Sequence, residues 1–447
     1  MSMETDIFEK RAPILVQNVR HQDRPVDLVI ADDGTIAAIG PGTGREHEYE
    51  HVIEGRGRLL LPGLANTHTH AAMTLLRGFA DDMLLQPWLA ERIWPLEAHL
   101  QPDDVYWGTR LACLEMIMSG TVAFNDMYFF MEEAARAVVE AGLRGVLSYG
   151  FIDLGDAGKR ERECRATESF IDHVSRMAHP RITACVGPHA VYTVSFEGLS
   201  WCGEYARERG LGVHVHLAET RSEVEEAIAA TGRRPVTTLD EAGLLGPRTV
   251  AAHGCWLDDD ECRLLAARGA TVSHNPASNM KLSTGRAMPY PALRAAGARV
   301  ALGTDGCASN NNLDLFEEMK IAALLQKFAW NDPTTLPARE ALALATVHGH
   351  RALGLGGGLL EPGAPADLIL VETHIPSTTP LFEVASSAVY ACSGCAVTTT
   401  ICDGRVLMHE RFVPGSEEVL VNAARSAHLL VERAGLFETG PIPTQKS

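Results

Sequence analysis

Short apolar runs alternate with amphipathic stretches of helical period through the middle of the chain. The runs predict eight strands: Gly63–Thr67, Thr121–Asn125, Gly145–Tyr149, Ile182–Val186, Val213–Leu217, Thr249–His253, Thr271–His274 and Ala298–Gly303. The amphipathic stretches predict helices over Asp104–Ser119, Glu132–Ala141, Phe196–Arg209, Ser222–Ala230, Asp258–Ala267 and Asn312–Lys327. This alternation is typical of a (β/α)8 TIM barrel. A doubly wound open sheet is disfavoured, because no G-x-G-x-x-G turn follows the first strand.

Both ends of the chain instead show strand patterns separated by turns. Strands are predicted over Ile14–Val19, Val26–Ile30, Thr35–Ile39, Glu50–Ile53, Ala366–Val371, Val397–Cys402 and Arg405–Met408, and a final helix over Glu417–Ala434. We therefore expect an α/β chain with a catalytic barrel over residues 62–354. Residues 1–61 and 355–447 are expected to form one small, discontinuous β-sandwich domain beside it, joined through the glycine-rich stretch that begins at Gly354.

Charge and composition narrow the class of protein. The 447 residues carry a net charge of −18, which argues against a polyanion partner, so we expect no nucleic acid. No apolar run of about 18 residues occurs, so no membrane span is predicted. The charged N-terminus Met1–Asp6 lacks the apolar core of a signal peptide, and the ten cysteines are scattered. These features predict reduced cysteines and a cytoplasmic protein, and they leave open whether it forms a homo-oligomer.

Candidate metal ligands fall where the predicted strands end. His68 and His70 are one residue apart at the end of the first strand, so both side chains can point to one side. His216 ends the fifth strand and Asp305 follows the eighth. In such a barrel reactive groups lie at the carboxyl ends of the strands. Three imidazoles and a carboxylate suit one Zn²⁺ per chain, although Fe²⁺ or Mn²⁺ would also be accepted.

Two further polar residues at these strand ends suit catalysis. Glu219 follows His216 by three residues and is the predicted general acid/base, and His253 could orient the attacking hydroxide or bind a second metal. The fourth strand offers no lysine for a bridging carbamate, which favours a single metal. His214 is interpreted as filling of the barrel interior. His274 is left open between a structural role and a role facing the substrate.

Several motifs together resemble the amidohydrolase superfamily. They are Pro62-Gly63-Leu64-Ala65-Asn66-Thr67-His68-Thr69-His70, His216-Leu217-Ala218-Glu219-Thr220, Ala252-His253 and Leu302-Gly303-Thr304-Asp305-Gly306. Within that superfamily, the 5'-methylthioadenosine/S-adenosylhomocysteine deaminases are the closer match. The stretches that start at Trp88, Ser273 and Gly306 carry this second resemblance. The likeness extends from about Leu60 to Gly354.

The resemblance implies a reaction and a role for each residue at the strand ends. It implies a mononuclear metal site with His68, His70, His216 and Asp305 as ligands. Glu219 would move a proton to N1 of the purine, and His253 would steady the hydroxide and the tetrahedral centre at C6. Asp305 would take the hydroxide proton and help it reach the departing ammonia. The implied reaction is hydrolytic deamination of adenosine-type nucleosides at C6, which converts 5'-methylthioadenosine to 5'-methylthioinosine and releases ammonia.

The resemblance also implies contacts with the substrate. Glu97 matches the residue that holds the ribose hydroxyls, His189 the residue that contacts the purine, and Trp88 a pocket aromatic. Tyr149 stands where family members that grip the homocysteine carboxylate place an arginine, and Arg160 matches a second arginine only loosely. We therefore expect neutral 5' substituents, as in 5'-methylthioadenosine, adenosine or 5'-deoxyadenosine, to be preferred over S-adenosylhomocysteine.

Two alternatives remain at this point. One is another amidohydrolase that acts on a free base or a triazine ring, like guanine deaminases or chlorohydrolases. The other is a non-catalytic barrel that binds without turnover. A zinc deaminase of the cytidine type is excluded, because its H-x-E and P-C-x-x-C signature is absent.

Overall fold

A computed structural model describes residues 6–8 and 13–436 of the chain. Most of the N-terminal stretch that was predicted to lack a signal peptide lies outside these residues. The central sheet has eight parallel strands, and each strand pairs with the next along the chain. They are β6 (Leu64–Thr69), β7 (Thr121–Tyr128), β8 (Arg144–Phe151), β9 (Ile182–Pro188), β10 (Gly212–Leu217), β11 (Thr249–His253), β12 (Thr271–His274) and β13 (Arg299–Leu302).

The last strand meets the first, so the sheet closes into a barrel. The hydroxyl of Thr67 on β6 donates a hydrogen bond to the carbonyl oxygen of Leu302 on β13, at 2.8 Å. Just beyond β13, the amide of Asp305 donates to the carbonyl oxygen of His68, at 2.9 Å. The predicted (β/α)8 barrel is confirmed.

Helices surround the barrel and account for most of the remaining chain. They are α1 (Leu85–Trp88), α2 (Trp94–Glu97), α3 (Pro102–Met118), α4 (Met131–Ala141), α5 (Ala157–Met177), α6 (Phe196–Arg209), α7 (Arg221–Thr231), α8 (Pro235–Glu241), α9 (Asp259–Arg268), α10 (Pro276–Lys281), α11 (Tyr290–Ala296), α12 (Leu315–Trp330), α13 (Ala338–Ala345), α14 (Val347–Leu353), α15 (Val384–Tyr390) and α16 (Ser416–Ala434). Among the described residues, none of these helices is both long and apolar enough to cross a membrane.

The two ends of the chain form one eight-stranded sheet, which confirms the separate β domain that was predicted from both ends as a small sandwich. Its strands are β1 (Ile14–His21), β2 (Arg24–Ile30), β3 (Ile36–Gly40), β4 (His51–Glu54), β5 (Arg58–Pro62), β14 (Leu368–Glu372), β15 (Val397–Cys402) and β16 (Arg405–Met408). Antiparallel pairing of β5 with β14 joins the N-terminal strands to the C-terminal ones. Sequence patterns alone missed β5, because its apolar run continues directly into the first barrel strand.

Alternate residues of this sheet serve two different cores. On β14, Ile369 and Val371 pack in the same core as the barrel, whereas Leu368 and Leu370 pack in a smaller core with other residues of the sheet. Successive side chains of a strand point to opposite faces, so a strand with both faces covered reads as a continuous apolar run. On this basis we propose that the barrel spans residues 62–354 and the flanking domain the rest.

Candidate active site

The strands of the barrel bring the predicted metal ligands to one edge. His68 lies within β6 and His70 directly after it, His216 lies in β10, and Asp305 follows β13. Two overlapping groups of side chains have all their potential ligand atoms within 4.8 Å of one another: His68, His70 and His216 form one, and His68, His253 and Asp305 the other. The scattered motifs of the sequence therefore converge on one cluster.

The spacing of the donor atoms fits one metal ion. Asp305 Oδ1 lies 3.3 Å from His68 Nε2 and 3.4 Å from His70 Nε2, and His70 Nε2 lies 3.2 Å from His216 Nε2. Tetrahedral zinc with bonds of about 2.0–2.1 Å separates its ligand atoms by about 3.3 Å. Nε2 of His68 is also buried without a hydrogen-bond partner, which is unfavourable unless this nitrogen binds another group, as it would in a metal site.

The other nitrogen of each of these rings is held by a partner. Nδ1 of His70 lies 2.7 Å from the carbonyl oxygen of Met127, and Nδ1 of His216 lies 2.8 Å from that of His189. A carbonyl oxygen can only accept, so both rings carry their proton on Nδ1. Their Nε2 atoms are then free to bind a metal, which is the usual arrangement for histidine ligands.

Protonation of the cluster also suits a metal. Burial lowers the pKa of His68 to about 4, so its ring is neutral at pH 7. Burial alone would raise the pKa of Asp305, but the imidazoles packed around it, His68 first among them, hold the pKa of its carboxyl well below the usual range. Neutral imidazole and ionised carboxylate are the forms that bind metals.

The short helix α10 fixes two of the polar residues from outside the cluster. Ser278 donates a hydrogen bond to Asp305 Oδ2 at 2.6 Å, and Asn279 Oδ1 lies 2.8 Å from His253 Nδ1. His253 and Asp305 also have positive φ angles of 74° and 65°. Such angles are uncommon for residues other than glycine and concentrate at functional sites. α10 therefore fixes the side chains of two residues whose backbone conformations are unusual.

Glu219 faces the cavity and is almost completely buried. Burial raises the pKa of its carboxyl, and the nearby His253 opposes the rise, with Glu219 Oε1 at 4.0 Å from His253 Nδ1. Glu223 accepts hydrogen bonds from the amides of Ala218 and Glu219, each at 2.8 Å. The loop that carries Glu219 is thus fixed, and a buried carboxyl of raised pKa is suited to transfer of protons.

A cavity of about 790 Å³ opens beside these groups. Three of the predicted substrate residues, Trp88, Glu97 and His189, line it, together with His70, His216, Asp305 and Glu219. Burial raises the pKa of Glu97 to about 7, and the Tyr128 hydroxyl partly offsets the rise. Burial lowers the pKa of His189 to about 3, so its ring is neutral. One cavity therefore brings predicted substrate residues next to the candidate metal ligands.

Tyr149 and Arg160 do not line the cavity. Tyr149 lies on β8, where neighbouring residues face opposite sides, and it is Gly150 and Ile152 that line the cavity. Burial raises the pKa of Tyr149 beyond its usual range, and the charge of Glu163 adds to the rise. Arg160 donates to Ser195 Oγ at 3.2 Å. Neither residue lies at the wall of this cavity, and the substrate contacts of Tyr149 and Arg160 stay predictions.

Several residues near the site escaped the sequence analysis or received only a structural role. Ser278 and Asn279 lie in the motif that begins at Ser273, but nothing in their order predicts contacts with Asp305 and His253. Asp126 is buried, and its Oδ1 accepts hydrogen bonds from the Thr69 hydroxyl and the Ala71 amide, at 2.8 and 2.6 Å. These contacts join residues distant in sequence, so only the folded chain reveals them.

Other histidines and the cysteines lie apart from the cluster. His274 is buried next to Gln326, with 3.4 Å between His274 Nε2 and Gln326 Nε2, and it does not line the cavity. His350 is buried, with its Nε2 3.0 Å from the carbonyl oxygen of Gly63. Among the described residues, no cysteine belongs to either group that could hold a metal.

A (β/α)8 barrel with three histidines and an aspartate converging at its mouth defines the class of metal-dependent barrel hydrolases. The chain belongs to the amidohydrolase family, whose model matches residues 59–407.

Proteins that are similar to this chain are named as deaminases. A 5'-deoxyadenosine deaminase of Methanoregula boonei is 65% identical over 431 residues, which cover 96% of this chain and 98% of the relative. A 5-methylthioadenosine/S-adenosylhomocysteine deaminase of Thermococcus sibiricus is 48% identical over 359 residues, 80% of this chain and 84% of the relative. The crystal structure of an adenosine deaminase from Xanthomonas campestris with bound zinc superposes with a TM-score of 0.88 at 34% identity, covering 95% of this chain and 99% of that one.

Proposed function

We propose that this chain is a zinc-dependent aminohydrolase that deaminates adenosine-type nucleosides with a neutral 5' group, 5'-deoxyadenosine above all. The 65% identity to a relative of that name, over almost the whole length of both chains, supports the reaction. The lining of the cavity supports the choice of substrate. One zinc ion per chain is proposed, with Fe²⁺ or Mn²⁺ as substitutes.

The observation that carries the proposal is the distribution of charge along the cavity. The acidic and imidazole side chains of the lining fall into three sets: the metal-type donors His70, His216 and Asp305, the neighbouring Glu219 and His253, and the predicted substrate residues Glu97 and His189. The rest of the lining is largely apolar and includes Leu85, Leu89, Ile93, Phe129, Ile152 and Leu282. Among the described residues that line the cavity there is no lysine or arginine. A substrate carboxylate would lose its hydration here and find no cation in exchange.

The proposed binding of the nucleoside depends on Glu97, His189 and Trp88. Glu97 accepts hydrogen bonds from the ribose hydroxyls, which a carboxylate does more strongly than a neutral acceptor. The neutral ring of His189 contacts the purine, and Trp88 adds an aromatic wall. A 5'-methyl group then fits the apolar part of the cavity without loss of any hydrogen bond.

The chemistry needs three proton movements. When bound, the metal lowers the pKa of water and so supplies a nucleophile at neutral pH. Glu219 carries a proton to N1 as the oxygen attacks C6, so that charge does not build up on the ring. His253, held by Asn279, donates a hydrogen bond to the oxygen on C6. Asp305 accepts the remaining proton from that oxygen and passes it to the amino nitrogen, which leaves as ammonia when the C6–N bond breaks.

An enzyme acting on a free base or a triazine ring is the alternative of the same family. Such a substrate would leave Glu97 without a ribose hydroxyl, and a half-buried carboxylate that lacks one of its hydrogen-bond donors is unfavourable. A non-catalytic barrel is disfavoured, because every proposed ligand and proton carrier is present, and all of them lie in one cluster or line the cavity beside it.

Steady-state kinetics with a substrate series tests the proposal. We expect kcat/KM to be highest for 5'-deoxyadenosine or 5'-methylthioadenosine, intermediate for adenosine, and at least tenfold lower for S-adenosylhomocysteine, about the effect of one unpaired buried charge. The loss of the 6-amino group is followed by ultraviolet absorbance, with guanine as the control. Turnover of guanine alone, or S-adenosylhomocysteine as good as 5'-methylthioadenosine, would contradict the proposal.

A further inference from the structure

His214 lies in the barrel interior, close to the metal-type donors but outside the cavity. It stands two residues before His216 on β10, so both side chains are on the inner side of the strand. It is completely buried and does not line the cavity. His214 also belongs to neither group of side chains that could hold a metal.

One contact connects His214 to the cluster. Its Nε2 lies 2.7 Å from Nδ1 of His68, and the two rings are almost perpendicular, with centroids 4.9 Å apart and planes at 85°. One of the two nitrogens must donate and the other accept. Which of them donates decides where the proton of the His68 ring sits.

Only one of the two arrangements leaves His68 able to bind a metal. If His214 donates, the proton of a neutral His68 ring is on Nε2, which then has no lone pair to offer. If His214 accepts, that proton is on Nδ1 and Nε2 is free. His70 and His216 face backbone carbonyl oxygens, which impose the second arrangement regardless of side chains.

We propose that His214 is a positioning residue that holds His68 in the tautomer and ring orientation a metal requires. His68 is thus the one of the three histidines whose Nδ1 partner is a side chain, and substitution can remove that partner. This inference rests on the metal site of the proposed function.

Two substitutions separate the hydrogen bond from the packing. His214→Phe keeps an aromatic ring but removes the acceptor, and His214→Gln keeps an acceptor oxygen near the position of Nε2. His274→Phe is the matched control, because His274 is another fully buried histidine at a barrel strand that does not line the cavity.

The readout is zinc affinity, measured by competition with a chromophoric chelator, together with the visible spectrum of the Co²⁺-loaded protein. We expect His214→Phe to weaken zinc binding by roughly 10- to 100-fold and to alter the cobalt spectrum, as loss of a ligand's outer partner does. His214→Gln should stay within a few-fold of the native protein, and His274→Phe should match it.

Three outcomes would count against the inference. Native affinity in a folded His214→Phe variant would overturn the positioning role, and so would an equal loss in His274→Phe. If His214→Phe does not fold, a His214→Gln variant that folds and loses zinc tenfold or more overturns it. Failure of the native protein itself to bind zinc, Fe²⁺ or Mn²⁺ would instead contradict the proposed function.

Discussion

Glu219 and Glu97 are two carboxyls of one cavity that are expected to affect different kinetic constants. Glu219 lies beside His253, where a proton must reach the reacting ring. Glu97 also lines the cavity, and we expect it to contact the ribose of the substrate. Burial raises the pKa of both carboxyls, so each can change its protonation closer to neutral pH than an exposed carboxyl.

Substitution Glu219→Gln should lower kcat by roughly 100- to 10,000-fold, the usual contribution of a general acid/base. The amide cannot carry a proton, but it occupies the same volume, so the bound metal should remain. Steady-state kinetics and metal analysis of the same preparation check both expectations. Glu225→Gln on the exposed side of α7 is the control, and near-native kcat in Glu219→Gln would refute the assignment.

Binding should depend on pH through Glu97. Its pKa of about 7 means that the carboxyl is ionised above that pH and protonated below it. Since the ionised form accepts the stronger hydrogen bonds, KM should fall as pH rises through about 7. Glu97→Gln should raise KM roughly ten- to hundredfold and remove this dependence, as seen in a pH series of KM. The same pH profile in both proteins would argue against the assignment.

At the level of residues, the convergence of the candidate metal ligands could be predicted from the sequence, whereas the contacts that hold them could not. His68, His70, His216 and Asp305 stand at strand ends, and strand periodicity is visible in a single sequence. Tyr149 shows the limit, because a shift of one residue at the end of a strand decides which side chain faces the cavity. Here Gly150 and Ile152 face it instead.

At the level of elements, α10 fixes two side chains of the proposed active site through hydrogen bonds. Six residues long, it contacts His253 through Asn279 and Asp305 through Ser278. The His253 ring then has a fixed direction before any substrate arrives, which is the preorganisation that catalysis by hydrogen bonds requires.

Substitution Asn279→Ala should lower kcat by roughly 10- to 100-fold, the usual cost of losing an outer partner, and change KM little. The reason is that the His253 ring loses its partner at Nδ1, whereas the groups that hold the nucleoside stay in place. Kinetics with 5'-deoxyadenosine measure both constants. Met280→Ala on the same helix is the control, since that side chain is 54% exposed. A change in KM alone would contradict this role for Asn279.

The elements themselves were predicted unevenly. β11, β12 and α6 have the predicted bounds, because short apolar runs and a regular amphipathic pattern mark them. α5, with 21 residues, was missed, since it is strongly charged and buries only four side chains. The helical stretch that carries Trp88 and Glu97 was also missed, and it is a chain of short segments with a turn of π-helix over Leu89–Ile93. Such irregular segments follow from tertiary contacts, not from a local period.

For the whole molecule, the metal should contribute to stability. A ligand that binds only the folded state stabilises it by about 4 kcal/mol when present at 1,000 times its dissociation constant. Removal of the metal by a chelator should therefore lower Tm, and addition of zinc should restore it. Differential scanning calorimetry measures both steps, with magnesium, which prefers oxygen ligands, as the control ion. An unchanged Tm after complete removal would argue against a metal at this cluster.

The closure of the barrel has a consequence for biosynthesis. His68 belongs to the first barrel strand, and Asp305, whose amide donates to His68, follows the last. The ribosome therefore synthesises His68 and His70 long before Asp305. Until β13 has also been synthesised, the seam between β6 and β13 cannot form. The complete donor set exists only after the seam closes. We therefore expect the proposed metal site to bind its ion only late in the synthesis of each chain, and a nascent chain truncated before residue 305 to hold an incomplete set of donors.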